Sequence, residues 1–282
     1  MTKRAIKTYI DAHREEMVAL WRDIVNIDSG TADREGANAV CSRLVAECEA
    51  AGMSAEAIAF EQAGSTLSAV WGADHPGTPL LFMGHMDTVF PRGTVAVRPF
   101  VIDGDTVAGP GALDMKGGCV IALYAIKALA AAGYDARPIR LLLSGDEETG
   151  HEQSESGHLF MDVGAGCAAA FNFETSNGPW RNVFVTGRKG SANILLETFG
   201  VAAHSGNDYE AGRNAIMENS YKLGEIFKLT DIPAGITLNP GVIAGGTVVN
   251  AVPDYCSTLI NLRIKTVIQY EDIRDKVKAI CE

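Results

Sequence analysis

Three short apolar runs in this chain each stop at residues that bind metals or move protons. Residues 79–83 (PLLFM) run into Gly84-His85-Met86-Asp87-Thr88, residues 139–143 (IRLLL) into Ser144-Gly145-Asp146-Glu147-Glu148, and residues 167–173 (CAAAFNF) into Glu174-Thr175-Ser176. Runs this short and this apolar predict strands buried on both faces of a largely parallel sheet. Ligands of such sheets sit just beyond the carboxyl ends of the strands. His85, Asp87, Glu147, Glu148 and Glu174 are therefore expected on one rim. A histidine among several carboxylates suits a hard-to-borderline dication such as zinc or manganese.

The surrounding sequence supplies the rest of an α/β domain. Helical patterns cover residues 4–26, 36–51, 115–132 and 153–162, with Gly52 and Gly133 where C-terminal caps belong. Strands are predicted near 53–60, 66–72, 79–84, 138–144 and 167–173. The pattern changes after Asn177-Gly178-Pro179. A strand at 191–200, a helix at 210–229, strands near 235–244 and 255–265 and a helix near 270–281 follow. That β-α-β-β-α order is most of a ferredoxin-like α+β unit. The expected division is residues 1–180 and 181–282. One strand of the second unit is missing at the C-terminus.

Bulk properties narrow the function. A formal net charge of −11 argues against nucleic acid and anionic membrane surfaces as partners. No apolar run approaches the roughly 18–20 residues of a membrane span. The N-terminus reads as an amphipathic helix, with Ile6, Ile10, Met17, Leu20, Trp21 and Ile24 on one side, rather than as a signal peptide. A cytoplasmic protein is the expectation. The six cysteines form no Cys-x-x-Cys pair and are expected as reduced thiols.

Each candidate motif has an ordinary alternative. His85 and Asp87, two apart at a strand end, point the same way, so Asp87 can fix the histidine tautomer; alone they are a surface pair. Asp114 lies in GPGALDMKGG and is either a helix N-cap or a ligand. The glycine-rich lead favours a ligand, since an N-cap needs none. Asp146-Glu147-Glu148 is either a solvated acidic turn or a cluster whose repulsion a dication offsets, leaving one carboxylate as a base. Glu174 by itself is an ordinary strand-end acid. In the second unit, His204 is a loop histidine on composition alone. Arg263 sits in an alternating apolar strand and is expected to have a carboxylate partner, either a ligand or a salt bridge. His13, His75, His151 and His158 read as surface residues.

Together, GHMDTV, GPGALDMKGG, SGDEETG, FNFETS, AAHSG and GGTVVNAVP resemble the zinc metallopeptidase family of glutamate carboxypeptidases, aminoacylases and succinyl-diaminopimelate desuccinylases, in the family's order and over nearly the whole chain. The glutamate carboxypeptidase branch is the nearest in appearance. The resemblance implies a zinc-exopeptidase-like mixed sheet with flanking helices and a smaller lid and dimerisation domain. It also implies two Zn2+ per complete active site. Asp114 would bridge the ions, His85 and Glu174 would complete one, and Glu148 would bind the other. Glu147 would be the general base, and Asp87 would orient His85. His204 would stabilise the oxyanion in the partner subunit's site, and Asn250 and Arg263 would hold a peptide or N-acyl amino acid. The family draws one further zinc ligand, a histidine, from beyond this chain's last residue. The chain is thus expected to be a C-terminally truncated piece, weakly active or inactive by itself. The expected parent activity is release of a C-terminal glutamate-type residue. The alternatives are a deacylase or dipeptidase, or a non-catalytic metal-binding or dimerisation fragment.

Overall fold

The computed structural model describes residues 2–151, 154–175 and 185–282. The chain divides into two compact units, Met1–Pro179 and Trp180–Glu282. The junction Asn177-Gly178-Pro179 and the first residue of the helix expected at 153–162 lie outside the described residues.

The first unit contains, in order, α1 (Lys3–Ala12), α2 (Arg14–Val25), α3 (Arg34–Ala50), β1 (Ser54–Ile58), β2 (Gly64–Trp71), β3 (Leu80–His85), a one-turn α4 (Thr94–Val97), a β4–β5 pair (Val101–Asp103, Thr106–Ala108), α5 (Gly117–Ala131), β6 (Ile139–Gly145), α6 (Ser156–Ala165) and β7 (Ala169–Asn172). Five strands make one mixed sheet in the order β1-β2-β6-β3-β7. β3 runs parallel to both β6 and β7, whereas β2 is antiparallel to β1 and β6. The sheet is thus half antiparallel, not largely parallel.

The apolar runs read correctly where neighbours cover both faces. Ile139, Leu141, Leu142 and Leu143 of β6 are almost wholly buried, as are Leu81 and Phe82 of β3. Ile139, Leu141, Leu143 and Phe82 pack with Leu44, Cys48, Leu67, Leu123 and Ile126 in the core. The third run is different: all four residues of β7 are exposed. β7 pairs with β3 alone among the described strands, so the run forms an edge and not a buried strand. The expected 4–26 helix is also two helices. His13 leaves helical geometry at φ −108°, ψ 16°, and its Nδ1 lies 2.7 Å from the Tyr9 carbonyl oxygen.

The second unit has β8 (Gly190–Phe199), β9 (Ala203–His204), α7 (Ala215–Phe227), β10 (Thr237–Gly245), β11 (Ala251–Val252), β12 (Tyr255–Ile264) and α8 (Val267–Cys281). β10-β12-β8 form an antiparallel sheet whose buried side packs on α7 and α8 through Leu196, Ile226, Leu238, Ile260, Leu262 and Ile273. β9 and β11 form a separate two-stranded ribbon not anticipated from sequence. All six cysteines are free, and Cys41 and Cys48 are buried in the core as their spacing implied. Among the described residues, no helix is long and apolar enough to cross a membrane.

Candidate metal centre

In the first unit, the candidate ligands stand where strands run out. β3 ends at His85, Glu147 and Glu148 follow the end of β6 at Gly145, and Glu174 lies two residues past the end of β7 at Asn172. Asp114 approaches on the glycine-rich segment ahead of α5. Gly111 turns that segment at φ +69°, a conformation costly for a residue with a Cβ. Gly118 opens α5 against the Phe173 carbonyl oxygen, where a Cβ would lie 2.2 Å away. Only glycine lets the helix begin beside the backbone that leads to Glu174. Asp114 has φ −116°, ψ 101°, and α5 starts at Gly117, so Asp114 is not the N-cap of this helix.

The side chains converge on one nitrogen. His85 Nε2 lies 3.2 Å from Asp114 Oδ1 and 3.1 Å from Glu174 Oε1. One donor atom from each of these three residues lies within 4.8 Å of the others. Glu147 Oε2 is 3.8 Å from the same nitrogen. The opposite ring nitrogen, Nδ1, lies 3.3 Å from Asp87 Oδ1 and 3.1 Å from the Asp87 carbonyl oxygen. With a hydrogen on Nδ1 held by Asp87, Nε2 is the nitrogen that would face a metal shared with Asp114 and Glu174.

Asp87 does more than orient His85. It is wholly buried, and its Oδ2 accepts from the Thr31 hydroxyl at 2.6 Å. Its Oδ1 and Oδ2 also accept the backbone N–H groups of Glu147 and Glu148, at 3.0 and 3.2 Å. One carboxylate thus ties the histidine to the turn that presents both glutamates.

The electrostatics are those of an anionic cage. Burial disfavours a charged His85, but hydrogen bonds to Asp87 and Glu174 prevail and raise its pKa to about 11. Burial raises Glu148 to about 7, assisted by Asp114, Asp87 and Glu147 and opposed by His85. Burial likewise raises Glu147, with Glu174 and Asp87 in support and His85 in opposition. Without a cation, the cage must hold protons to limit its charge. One imidazole nitrogen with several carboxylate oxygens fits zinc or manganese, so these residues fit a dication. Lys116 does not serve instead: its buried ammonium donates to the Ile27 carbonyl oxygen, and burial lowers its pKa to about 8.

Sequence reasoning missed the anchor of the glutamate turn. Asp146 is wholly buried, and its Oδ1 accepts from Ser156 Oγ at 2.9 Å and lies 3.2 Å from His151 Nδ1. His151 is therefore half-buried and paired, not a surface residue; a histidine five positions after an aspartate was the only signal. His13 and His75 are half-buried too, stacked on Tyr9 and set edge-on to Trp71. Only His158 of the four is exposed as expected.

In the second unit, the structure brings two of three candidates together. His204 pairs with Ala251 across the β9–β11 ribbon, and the Asn250 carbonyl accepts the Ser205 N–H at 3.0 Å. The N–H groups of Gly206 and Asn207 both donate to His204 Nδ1, at 3.1 Å each. That pattern puts the imidazole hydrogen on the exposed Nε2. Arg263 sits near the far end of β12, eight residues from Tyr255, or about 26 Å of extended strand. It is exposed and donates to Asn261 Oδ1 at 2.9 Å, so the expected carboxylate partner is not what it holds.

A helix-flanked mixed sheet with a histidine–carboxylate cage on its rim, followed by an α+β domain, defines a metallopeptidase architecture. The Peptidase family M28 model matches residues 66–222, more than half of the chain, and a peptidase dimerisation domain matches residues 186–282. The chain belongs to the metallopeptidase family that includes glutamate carboxypeptidases and succinyl-diaminopimelate desuccinylases. Carboxypeptidase G2 of Pseudomonas sp. (strain RS-16) is 30% identical over 82% of this chain and 55% of its own length. A succinyl-diaminopimelate desuccinylase of Dinoroseobacter shibae is 27% identical over 93% of this chain and 72% of its own. The chain spans about half the length of the first carboxypeptidases it matches, 55% and 48%. The fold is shared with the aminopeptidase PepT from Bacillus cereus (TM-score 0.74, 21% identity, 95% of this chain and 71% of that one). It is also shared with the M20 family metallo-carboxypeptidase Sso-CP2 from Sulfolobus solfataricus (TM-score 0.69, 15% identity, 94% and 76%).

Proposed function

We propose that this chain carries the catalytic residues of a metal-dependent hydrolase that cleaves an amide bond next to a free carboxylate, of the carboxypeptidase kind. The observation that supports this most is the grouping of His85, Asp114 and Glu174 around one point, with Glu147 3.8 Å from the shared nitrogen. A metal ligand set needs no additional carboxylate held this close, whereas a hydrolase needs a base. His85, Asp114 and Glu174 would hold one ion, and Asp114 with Glu148 would contribute to a second. Zinc is the preferred occupant. A bound dication supplies Lewis acidity towards the amide carbonyl and towards water.

The chain's own groups have separable roles in this reading. Glu147 accepts a proton from water and returns it to the leaving amine; burial keeps its pKa above the ordinary glutamate value, towards the range useful to a base. Asp87 holds His85 and the Glu147-Glu148 turn in register. His204 offers an Nε2–H donor whose orientation the Gly206 and Asn207 amides fix, suited to a developing oxyanion; one such donor is typically worth about 3–4 kcal/mol. Asn250, in the turn just before β11, is assigned to the substrate. Arg263 remains a candidate for a substrate carboxylate, through its exposure and not through burial. A peptide or N-acyl amino acid is the substrate class, and the relatives' names support a carboxypeptidase or a desuccinylase-type deacylase. Residues 181–282 are assigned to homodimer formation.

Two measurements on the purified chain test this reading. The first is bound zinc per chain, and the second is hydrolysis of N-acyl glutamates by the wild type and by Glu147→Ala. Glu147→Ala should keep its metal and lose turnover. Turnover that survives in Glu147→Ala, or no metal uptake by the wild type, would refute the assignment.

A further inference from the structure

Two cavities in the first unit meet at Glu148. One, of about 860 Å3, runs from residues 30–35 to Arg92; the other, of about 270 Å3, has Leu113 and Asp114 on its wall. Val89, Phe90 and Glu148 line both, so the two cavities adjoin and are described together as one trough. Two candidate metal ligands, Asp114 and Glu148, open onto it.

The trough combines apolar surface with engaged cations. Val89 is 67% exposed and Leu113 73%, unusual freedom for large apolar side chains beside an acidic cluster. Exposed apolar groups converging on polar, reactive ones are the usual make-up of a ligand pocket. Of the arginines that line it, Arg92 is paired with acids of the same wall. Arg92 Nε donates to Asp33 Oδ2 at 2.7 Å, and its terminal nitrogen contacts Asp33 Oδ1 and, at 2.9 Å, Glu35 Oε2. Arg34 donates to the Glu61 carbonyl oxygen. Asp33, Glu35, Asp114 and Glu148 line the walls against Arg34 and Arg92, so an anionic group entering the trough would meet a net negative lining among the described residues.

We propose that this trough receives the acyl side of the substrate and selects an uncharged apolar group, such as an aliphatic acyl chain, over an anionic one such as succinyl. The proposal rests on the hydrolase reading above and adds a substrate class to it. Burying one methylene is worth about 0.8 kcal/mol, roughly fourfold in affinity, so a six-carbon chain has ample scope to outbind a four-carbon diacid.

The test is isothermal titration of the zinc-loaded 282-residue chain with N-hexanoyl-glutamate and N-succinyl-glutamate, in a Glu147→Ala background so that neither is consumed. Hexanoyl should bind at least about tenfold more tightly. Val89→Ala should weaken hexanoyl binding about three- to tenfold and leave succinyl binding unchanged. Val89→Arg should reverse the preference at unaltered zinc content, and its exposed position makes it tolerable to the fold. Equal or tighter succinyl binding in the Val89-intact protein overturns the proposal and leaves the hydrolase reading standing. An unchanged ratio in both Val89 variants overturns it too, as does zinc uptake with neither ligand bound. A chain that takes up no zinc overturns the hydrolase reading and the proposal together.

Discussion

Replacing Asp87 by asparagine removes one charge, keeps the shape and tests the tie between His85 and the glutamate turn. The carboxylate accepts from four donors: Thr31 Oγ1, His85 Nδ1, and the N–H groups of Glu147 and Glu148. An asparagine has one acceptor oxygen and one donor NH2. The lowest-cost orientation puts the NH2 where Oδ2 stood, since the Thr31 hydroxyl can rotate to accept. The Glu148 N–H then faces a donor. A lost hydrogen bond to a charged acceptor is worth about 1.5–3 kcal/mol, so the metal-free variant should be less stable by about that amount. The remaining bond to His85 becomes one to a neutral acceptor. Loss of an outer partner of this kind typically lowers metal affinity by about 10–100-fold. At saturating metal, that removes a further 1.4–2.7 kcal/mol or so of stabilisation. Urea unfolding with and without zinc, and competition for zinc against a chelator, read the two effects separately. A variant within about 0.5 kcal/mol of the wild type and with equal zinc affinity would show that Asp87 does not hold the site together.

Further expectations follow from the same geometry. His85, with a pKa raised to about 11, is protonated in the metal-free protein, so zinc uptake should release protons; titration in buffers of different ionisation enthalpy counts them. Glu148 has a raised pKa, so its contribution to metal-free stability is present below about pH 4.5 and is lost as pH rises through about 7. Zinc needs the ionised form, so the difference in Tm between zinc-loaded and metal-free protein should widen from pH 5.5 to pH 7.5. Ser156→Ala removes a donor to the buried Asp146 carboxylate and should cost about 1–3 kcal/mol, measured by urea unfolding, without loss of the first metal. Gly118→Ala drives a Cβ against the Phe173 carbonyl oxygen and should separate the Asp114 and Glu174 segments; zinc stoichiometry falling by more than global stability would be the signature.

How far the sequence could be read depended on whether a pattern implied one neighbour or two. The runs of β3 and β6 were legible because burial on both faces leaves no polar alternation. The run of β7 is likewise short and largely apolar yet lies exposed at the sheet edge, and an apolar run does not record what covers a strand. β12 shows the converse. Its pattern alternates, but Leu259 sits on the exposed face with Arg263, while Cys256, Thr258, Ile260, Leu262 and Ile264 face the helices. An apolar residue on the open face hid which side was the core, and so an exposed arginine read as one that needs a carboxylate partner. The break at His13 carries no proline or glycine to announce it. It follows from a side chain turned back on the Tyr9 carbonyl, an event below the resolution of periodicity.

The site was more legible than the fold details because its chemistry is repulsive. Carboxylates gathered on one rim are unfavourable unless something compensates, so their coincidence at strand ends points to a cation before any distance is known. What the sequence did not expose is how the compensation is arranged. Asp87 and Asp146 are wholly buried acids on either side of the Glu147-Glu148 turn, and neither lies in the group that could hold a metal. Asp87 accepts the turn's N–H groups, and Asp146 gathers Ser156 and His151 behind it. The cage therefore consists of exposed or half-exposed acids that meet a cation, carried on buried acids held by hydrogen bonds, through both oxygens in Asp87 and through Oδ1 alone in Asp146, whose Oδ2 has no partner among the described residues. This division predicts opposite responses to charge removal. Neutralising Glu148 should relieve repulsion and stabilise the metal-free chain, whereas neutralising Asp87 or Asp146 should destabilise it. Parallel unfolding of Glu148→Gln, Asp87→Asn and Asp146→Asn without metal decides the matter, and a uniform sign across the three would refute the distinction.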